Sequence, residues 1–206
     1  MMNPYRAIIF DLGNVVINFS FDNIFNYWAH ITGVPALELK NNFDYDDMFC
    51  RFEKGEIGPS VFRRHVLEKL KVKMSDAQFD KGWNRIYVSA VPGIKSVLQN
   101  LRQHYRLVAL TNTNELHVQQ WMTKYASLLR SFERIFCSNE IKARKPERKA
   151  FEVVLLYLKM NPRDVLFLDD TPEFVKAASE MAIRGILVTS LKQMMRELAE
   201  LGVYSP

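Results

Sequence analysis

The chain has 206 residues, 48% of them hydrophobic and 25% charged, with only 8 Gly and 8 Pro; that is the composition of a globular protein able to bury a sizeable core, and it excludes disorder and low-complexity architectures. An excess of 28 Lys+Arg over 23 Asp+Glu gives a net charge of +5 and a pI near 9.2. The basic residues are scattered and no nucleic-acid motif accompanies them, so an anionic small substrate explains the charge as well as a polynucleotide would.

The first strand is expected over residues 6–10, closing on Asp11 and a turn at Gly13. Its apolar run is too short for a secretory signal, and no uncharged run approaches a membrane span, so the expectation is a cytoplasmic protein with no membrane partner, monomeric or homodimeric. Alternation of period two then vanishes until about residue 106. Residues 19–91 read instead as four or five helices, with apolar positions recurring at Ile24-Phe25-Trp28-Ile31 and Val61-Phe62-Val66-Leu67-Leu70. Ser60 and Ser75 are the expected N-caps there. Trp28, Trp83 and the many Phe residues supply core for this segment, and the turn at Gly55 could aim Arg51, Glu53 and Lys54 at a site.

From Pro92 onward strands and helices alternate. Helices are expected over 94–104, 115–125 and 147–159, from Pro172, and over 191–201; strands fall at 106–110, 134–137, 165–168 and 185–188. Alternation of this kind predicts an α/β fold: a Rossmann-like, mostly parallel sheet with helices on both faces, plus an inserted all-α cap. The expected division is a core of residues 1–18 and 92–206 and a cap of 19–91. Cys50 and Cys137 are too few for a disulfide framework or a metal knuckle and read as small buried hydrophobes. His30, His65, His104 and His117 lack metal-ligand spacing and read as packing or surface residues, though His117 follows Thr111 closely enough to approach a site mouth.

Ligands of open α/β sheets gather beyond the carboxyl ends of the strands, so the polar residues ending three of these strands should converge with Lys145. What converges is a carboxylate (Asp11), a hydroxyl (Thr111, followed by Asn112), an ammonium (Lys145) and a carboxylate pair (Asp169, Asp170). Each has a bland reading: Asp11-Leu12-Gly13 as a turn, Thr111 as a strand end, Lys145 as one more surface lysine. Together they are equipment for phosphoryl transfer. Asp11 would attack phosphorus, while Thr111, Asn112 and Lys145 contact the phosphate. Asp11, Asp169, Asp170 and the Gly13 carbonyl would hold Mg²⁺, since carboxylates this close repel one another without a cation. Thr171 is the expected N-cap of the following helix, with Pro172 at its first position.

The ordered set resembles the haloacid dehalogenase superfamily, most of whose members are phosphatases: DLGNV as the first motif, LTN as the second, RKPE as the third and FLDD as the fourth. FDLGNVVI, FEKGEI and TNTNELH are similar to the sugar-phosphatase-like branch that includes bacterial glucose-1-phosphate phosphatases. The resemblance implies an aspartyl phosphate on Asp11, Thr111 and Lys145 as phosphate contacts, Asp169 and Asp170 as metal ligands with Asp170 the more direct, and a small sugar phosphate as substrate. Two positions depart from the wider pattern. Gly13 stands where most phosphatases of the superfamily carry a second Asp, the general acid, and Phe174 stands where a polar Asn often follows the DD pair. Without that acid, an anomeric phosphate, whose leaving group departs readily, is favoured. The rival readings are a metal-independent haloacid dehalogenase using Asp11 and a non-catalytic phosphate-binding module.

Overall fold

A computed structural model describes residues 4–204; residues 1–3 and 205–206 of the expected core lie outside the described residues. Five strands form one parallel sheet: β1 (Ala7–Phe10), β4 (Arg106–Thr111), β5 (Arg134–Cys137), β6 (Val165–Asp169) and β7 (Arg184–Leu187), in the order β5-β4-β1-β6-β7. The chain runs outward from central β1 to one edge through β4 and β5, then crosses to the other side for β6 and β7. The reversal places a topological switch point at β1, where a crevice opens beyond the strand ends.

Residue alternation along the strands divides the core into two layers. Ile8, Phe10, Leu107, Ala109, Leu166 and Leu168 face one side, where they pack with α6 (Ile94–Leu101), α7 (Glu115–Lys124), α8 (Ala126–Leu129) and α12 (Leu191–Glu200). Ala7, Ile9, Val108, Leu110, Val165 and Phe167 face the other, covered by α10 (Arg148–Leu158) and α11 (Pro172–Glu180). With both faces buried, β6 is apolar through Val165–Leu168 before it ends on Asp169, and it shows little alternation in sequence.

Between β1 and β4 lie α1 (Asp22–Thr32), α2 (Ala36–Asn42), α3 (Asp47–Glu53), α4 (Pro59–Leu70) and α5 (Asp76–Trp83), which share a core of Trp28, Phe49, Phe52, Phe62, Phe79, Trp83 and neighbouring aliphatic residues. Helices α1 and α5 meet closely at Gly82, where a β-carbon would lie 2.2 Å from Trp28 Nε1. The segment is entered and left by two short strands absent from the sequence reading, β2 (Ile17–Phe19) and β3 (Tyr87–Ala90), paired antiparallel. They are three and four residues long and only partly buried, too short for period two to register.

Several local expectations need correction. Helix α4 is capped at Gly58 with Pro59 in its first turn, so Ser60 is not the N-cap, whereas Ser75 forms a full capping box with Gln78. Thr171 occupies the N-cap position of α11, but its hydroxyl makes no capping bond there. Cys137 is buried as expected, while Cys50 is only half-buried. The two short helices α8 and α9 (Ser138–Ile141) were not anticipated. No helix among the described residues is long and apolar enough to cross a membrane.

Candidate active site

Strand register brings the acidic residues together. Phe10 pairs with Leu168, so the next residues, Asp11 and Asp169, stand side by side, and the Asp11 N–H donates to the Leu168 carbonyl at 2.8 Å. Asp11, Asp169 and Asp170 each offer a carboxylate oxygen, all within 4.8 Å of one another. Asp169 is fully buried, Asp11 nearly so and Asp170 half-buried. Three hard oxygen donors in this space fit a small divalent ion such as Mg²⁺, which takes few protein ligands and fills the rest with water and phosphate.

Lys145 closes the cluster. Its loop between α9 and α10 carries it in on the same side of the sheet as Phe167, and its Nζ donates to Asp11 Oδ1 and Asp169 Oδ2, both at 2.6 Å. Only 1% of Lys145 is exposed, and its ammonium lies over the rings of Phe174 (5.1 Å) and Phe167 (5.5 Å). Phe174, which replaces a polar residue of the wider pattern, therefore backs the lysine instead of the carboxylates. Burial draws the Lys145 pKa down, but the two carboxylates outweigh it and hold the group above its ordinary value. For Asp11 burial dominates and raises the pKa, aided by Asp169 and Asp170 and opposed by Lys145. Asp170 is raised chiefly by burial too, with Asn14 donating to its Oδ2 at 3.1 Å.

Asn14 is a site residue the sequence reading missed. It adopts a left-handed backbone (φ 52°), a conformation Asn tolerates better than most residues, and its Oδ1 accepts from the Phe19 N–H at 3.2 Å. The usable signal was an Asn directly after the turn glycine. Asn112 also differs from expectation. Its side chain holds the Lys145 backbone, donating to the carbonyl at 2.9 Å and accepting from the N–H at 2.8 Å, so it fixes the lysine loop more directly than it offers itself to a ligand. The Gly13 carbonyl is not free either, because it accepts the Val15 N–H at 2.7 Å and keeps only one lone pair for a cation. The Lys145–Pro146 peptide is cis, and α10 begins only at Arg148.

Next to the cluster, reached through Leu12, Gly13, Thr111 and Asn112, lies a cavity of about 90 Å³ lined also by Phe19, Glu53, Tyr87 and His117. Of Arg51, Glu53 and Lys54, only Glu53 lines it; Arg51 and Lys54 turn outward to Glu56 at 3.6 and 2.9 Å. Two clasps hold the helices to the sheet domain. At one, Arg144 Nε donates to Glu53 Oε2 at 2.8 Å and Ser138 Oγ donates to the Glu53 carbonyl at 2.6 Å. At the other, His117 stacks on Trp83 at 4.9 Å, and its Nε2 donates to the Trp83 carbonyl at 3.1 Å. Burial pushes the His117 pKa down to about 3, so its ring is neutral and packs as a structural group.

Known proteins share this fold. A family model for haloacid dehalogenase-like hydrolases matches residues 8–188. The chain belongs to that family. A haloacid dehalogenase family enzyme from Bacteroides thetaiotaomicron, solved with magnesium and inorganic phosphate, superposes with a TM-score of 0.78 at 28% identity over 91% of this chain and 96% of that one. A phosphatase of Mycobacterium tuberculosis is 23% identical over 95% of this chain and 94% of its own length. Drimenol cyclase drtB of Aspergillus calidoustus is 22% identical over 95% of this chain, which spans only 36% of that relative.

Proposed function

We propose that this member of the family is a Mg²⁺-dependent phosphomonoester hydrolase of a small sugar phosphate. The observation that carries the reading is Lys145 bridging Asp11 and Asp169 at 2.6 Å at the switch point of the sheet. A carboxylate beside a buried ammonium and two further carboxylates suits attack on a phosphoryl group, whose oxygens take the ammonium's charge as Asp11 gives up its share. Asp11 forms the bond to phosphorus, Lys145 and Thr111 hold the phosphoryl oxygens, and Asn112 keeps Lys145 in place. Asp11, Asp169, Asp170 and the Gly13 carbonyl would hold Mg²⁺, which when bound offsets the repulsion between nucleophile and phosphate. The Bacteroides complex with magnesium and phosphate supports the same ligand chemistry.

In this reading residues 19–91 are a cap on a core of residues 1–18 and 92–206. The paired strands β2 and β3 put both crossings side by side, with the Val91 N–H donating to the Val16 carbonyl at 2.9 Å, as a hinge requires. The cavity is smaller than the roughly 300 Å³ at which small-molecule sites usually begin, so the cap opens for substrate and closes to exclude water. Position 13 itself offers no proton, and a leaving group that departs readily as an anion demands least of any other donor, which places sugar 1-phosphates ahead of 6-phosphates. Phosphate release from a panel of sugar phosphates, with Mg²⁺ and with EDTA, tests the reading; a folded protein inactive on all of them contradicts it.

A further inference from the structure

Position 13 cannot carry an acid without rearrangement, because a β-carbon there would lie 2.4 Å from Phe19 Cε1. The cavity on that side holds one charged side chain among its described lining residues, Glu53. Its side chain is held in place: the residue is 8% exposed, its carbonyl accepts from Ser138, and its Oε2 accepts from Arg144, the neighbour of Lys145. A carboxylate facing a phosphate dianion repels it, so a buried carboxyl here is useful when it carries a proton.

We propose that Glu53, reaching in from α3, is the proton donor to the leaving oxygen, in the role that Gly13 cannot fill. The inference rests on the phosphatase reading above. As an Asp11 oxygen bonds to phosphorus, the phosphorus–oxygen bond of the ester breaks on the opposite side, toward the cavity. The electron pair of that bond goes to the leaving oxygen, which takes the Glu53 proton and departs as the alcohol. Glu53 is left as a carboxylate beside the Arg144 guanidinium. In the second step water attacks phosphorus and gives its proton to Glu53, while the bond from phosphorus to the Asp11 oxygen breaks and its electron pair returns to the Asp11 carboxylate; the acid is restored and inorganic phosphate is released.

Burial pushes the Glu53 carboxyl above the usual glutamate range against the pull of Arg144 and, further off, Lys145. The phenols of Tyr45 and Tyr87 and the neutral ring of His117 complete the titratable surroundings. None of these neighbours offers a proton at neutral pH as readily as a buried carboxyl does.

Glu53→Gln keeps the shape and an acceptor for Arg144 but removes the proton. The test is kcat/KM for p-nitrophenyl phosphate and for glucose 6-phosphate, with Mg²⁺, in the wild-type chain, Glu53→Gln and Glu53→Asp. General acid help is typically worth about 10²–10⁴-fold, so Glu53→Gln should lower turnover of the alkyl ester by at least about 100-fold and of the aryl ester by less than about tenfold. The alkaline limb of the pH profile should vanish with the alkyl ester, and Glu53→Asp should restore part of the rate. Equal losses on both esters would make Glu53 a binding residue and overturn the proposal, as would no loss on either. A folded wild-type chain inactive on both esters would instead overturn the phosphatase reading beneath it.

Discussion

Phe19 occupies the space that any side chain at Gly13 would need, with its Cε1 2.4 Å from the position of a β-carbon there. Gly13→Asp should therefore not install an acid. The added bulk at this packed position should destabilise the fold by roughly 1–3 kcal/mol. Gly13→Asp with Phe19→Ala should be less damaging than the two single changes summed, a coupling of about 1 kcal/mol or more in a double-mutant cycle by urea unfolding. Simple additivity would mean the two positions do not compete for space.

Asp11→Asn keeps size and hydrogen bonding while removing the nucleophile. Activity on p-nitrophenyl phosphate should fall by several orders of magnitude, with the far-ultraviolet circular dichroism spectrum unchanged. Substantial retained turnover would reduce Asp11 to a turn or ligand residue.

Lys145→Ala removes the cation that Asp11 and Asp169 share in a site it fills to 1% exposure. Breaking a buried ion pair from one side typically costs about 3–5 kcal/mol, so the metal-free variant should show a clearly lowered Tm. Saturating Mg²⁺ should recover part of that loss. A turnover deficit of roughly 10²–10³-fold should remain with metal bound, because the phosphoryl oxygens lose their ammonium.

His117 sets a pH dependence of opposite sign to a charged clasp. Its folded pKa of about 3 lies below the ordinary 6.5, so its contribution is complete above pH 6.5 and is lost as pH falls toward 3. Over that window the unfolded chain takes up a proton the folded chain refuses, a difference worth at most roughly 4–5 kcal/mol. His117→Asn should flatten the acid side of the stability curve measured by urea unfolding from pH 7 to 4. An unchanged slope would show that other groups govern it.

The sheet and most of the site were legible in the sequence because β1, β4 and β6 are apolar runs that end abruptly in Asp11, Thr111 and Asp169. Pro172 marked the start of α11, and helical spacing exposed the inserted helices. Other features depend on contacts that no local pattern records. Ile17–Phe19 and Tyr87–Ala90 pair across the whole run of inserted helices, so neither half announces the other. The hold of the Asn112 amide on the Lys145 backbone joins residues 33 positions apart. Glu53 could not be separated from Arg51 and Lys54, since direction at the end of α3 is decided by Arg144 and Ser138, some ninety residues later.

The measurement that bears most directly on the whole account is phosphate release from p-nitrophenyl phosphate, glucose 1-phosphate and glucose 6-phosphate, with Mg²⁺ and then with EDTA, with halide release from 2-haloacids run in parallel. The account predicts phosphate release that requires Mg²⁺, disappears in Asp11→Asn and runs faster on glucose 1-phosphate than on glucose 6-phosphate, with no halide released. Metal-independent halide release, or no phosphate release from a properly folded protein in Mg²⁺, would contradict it.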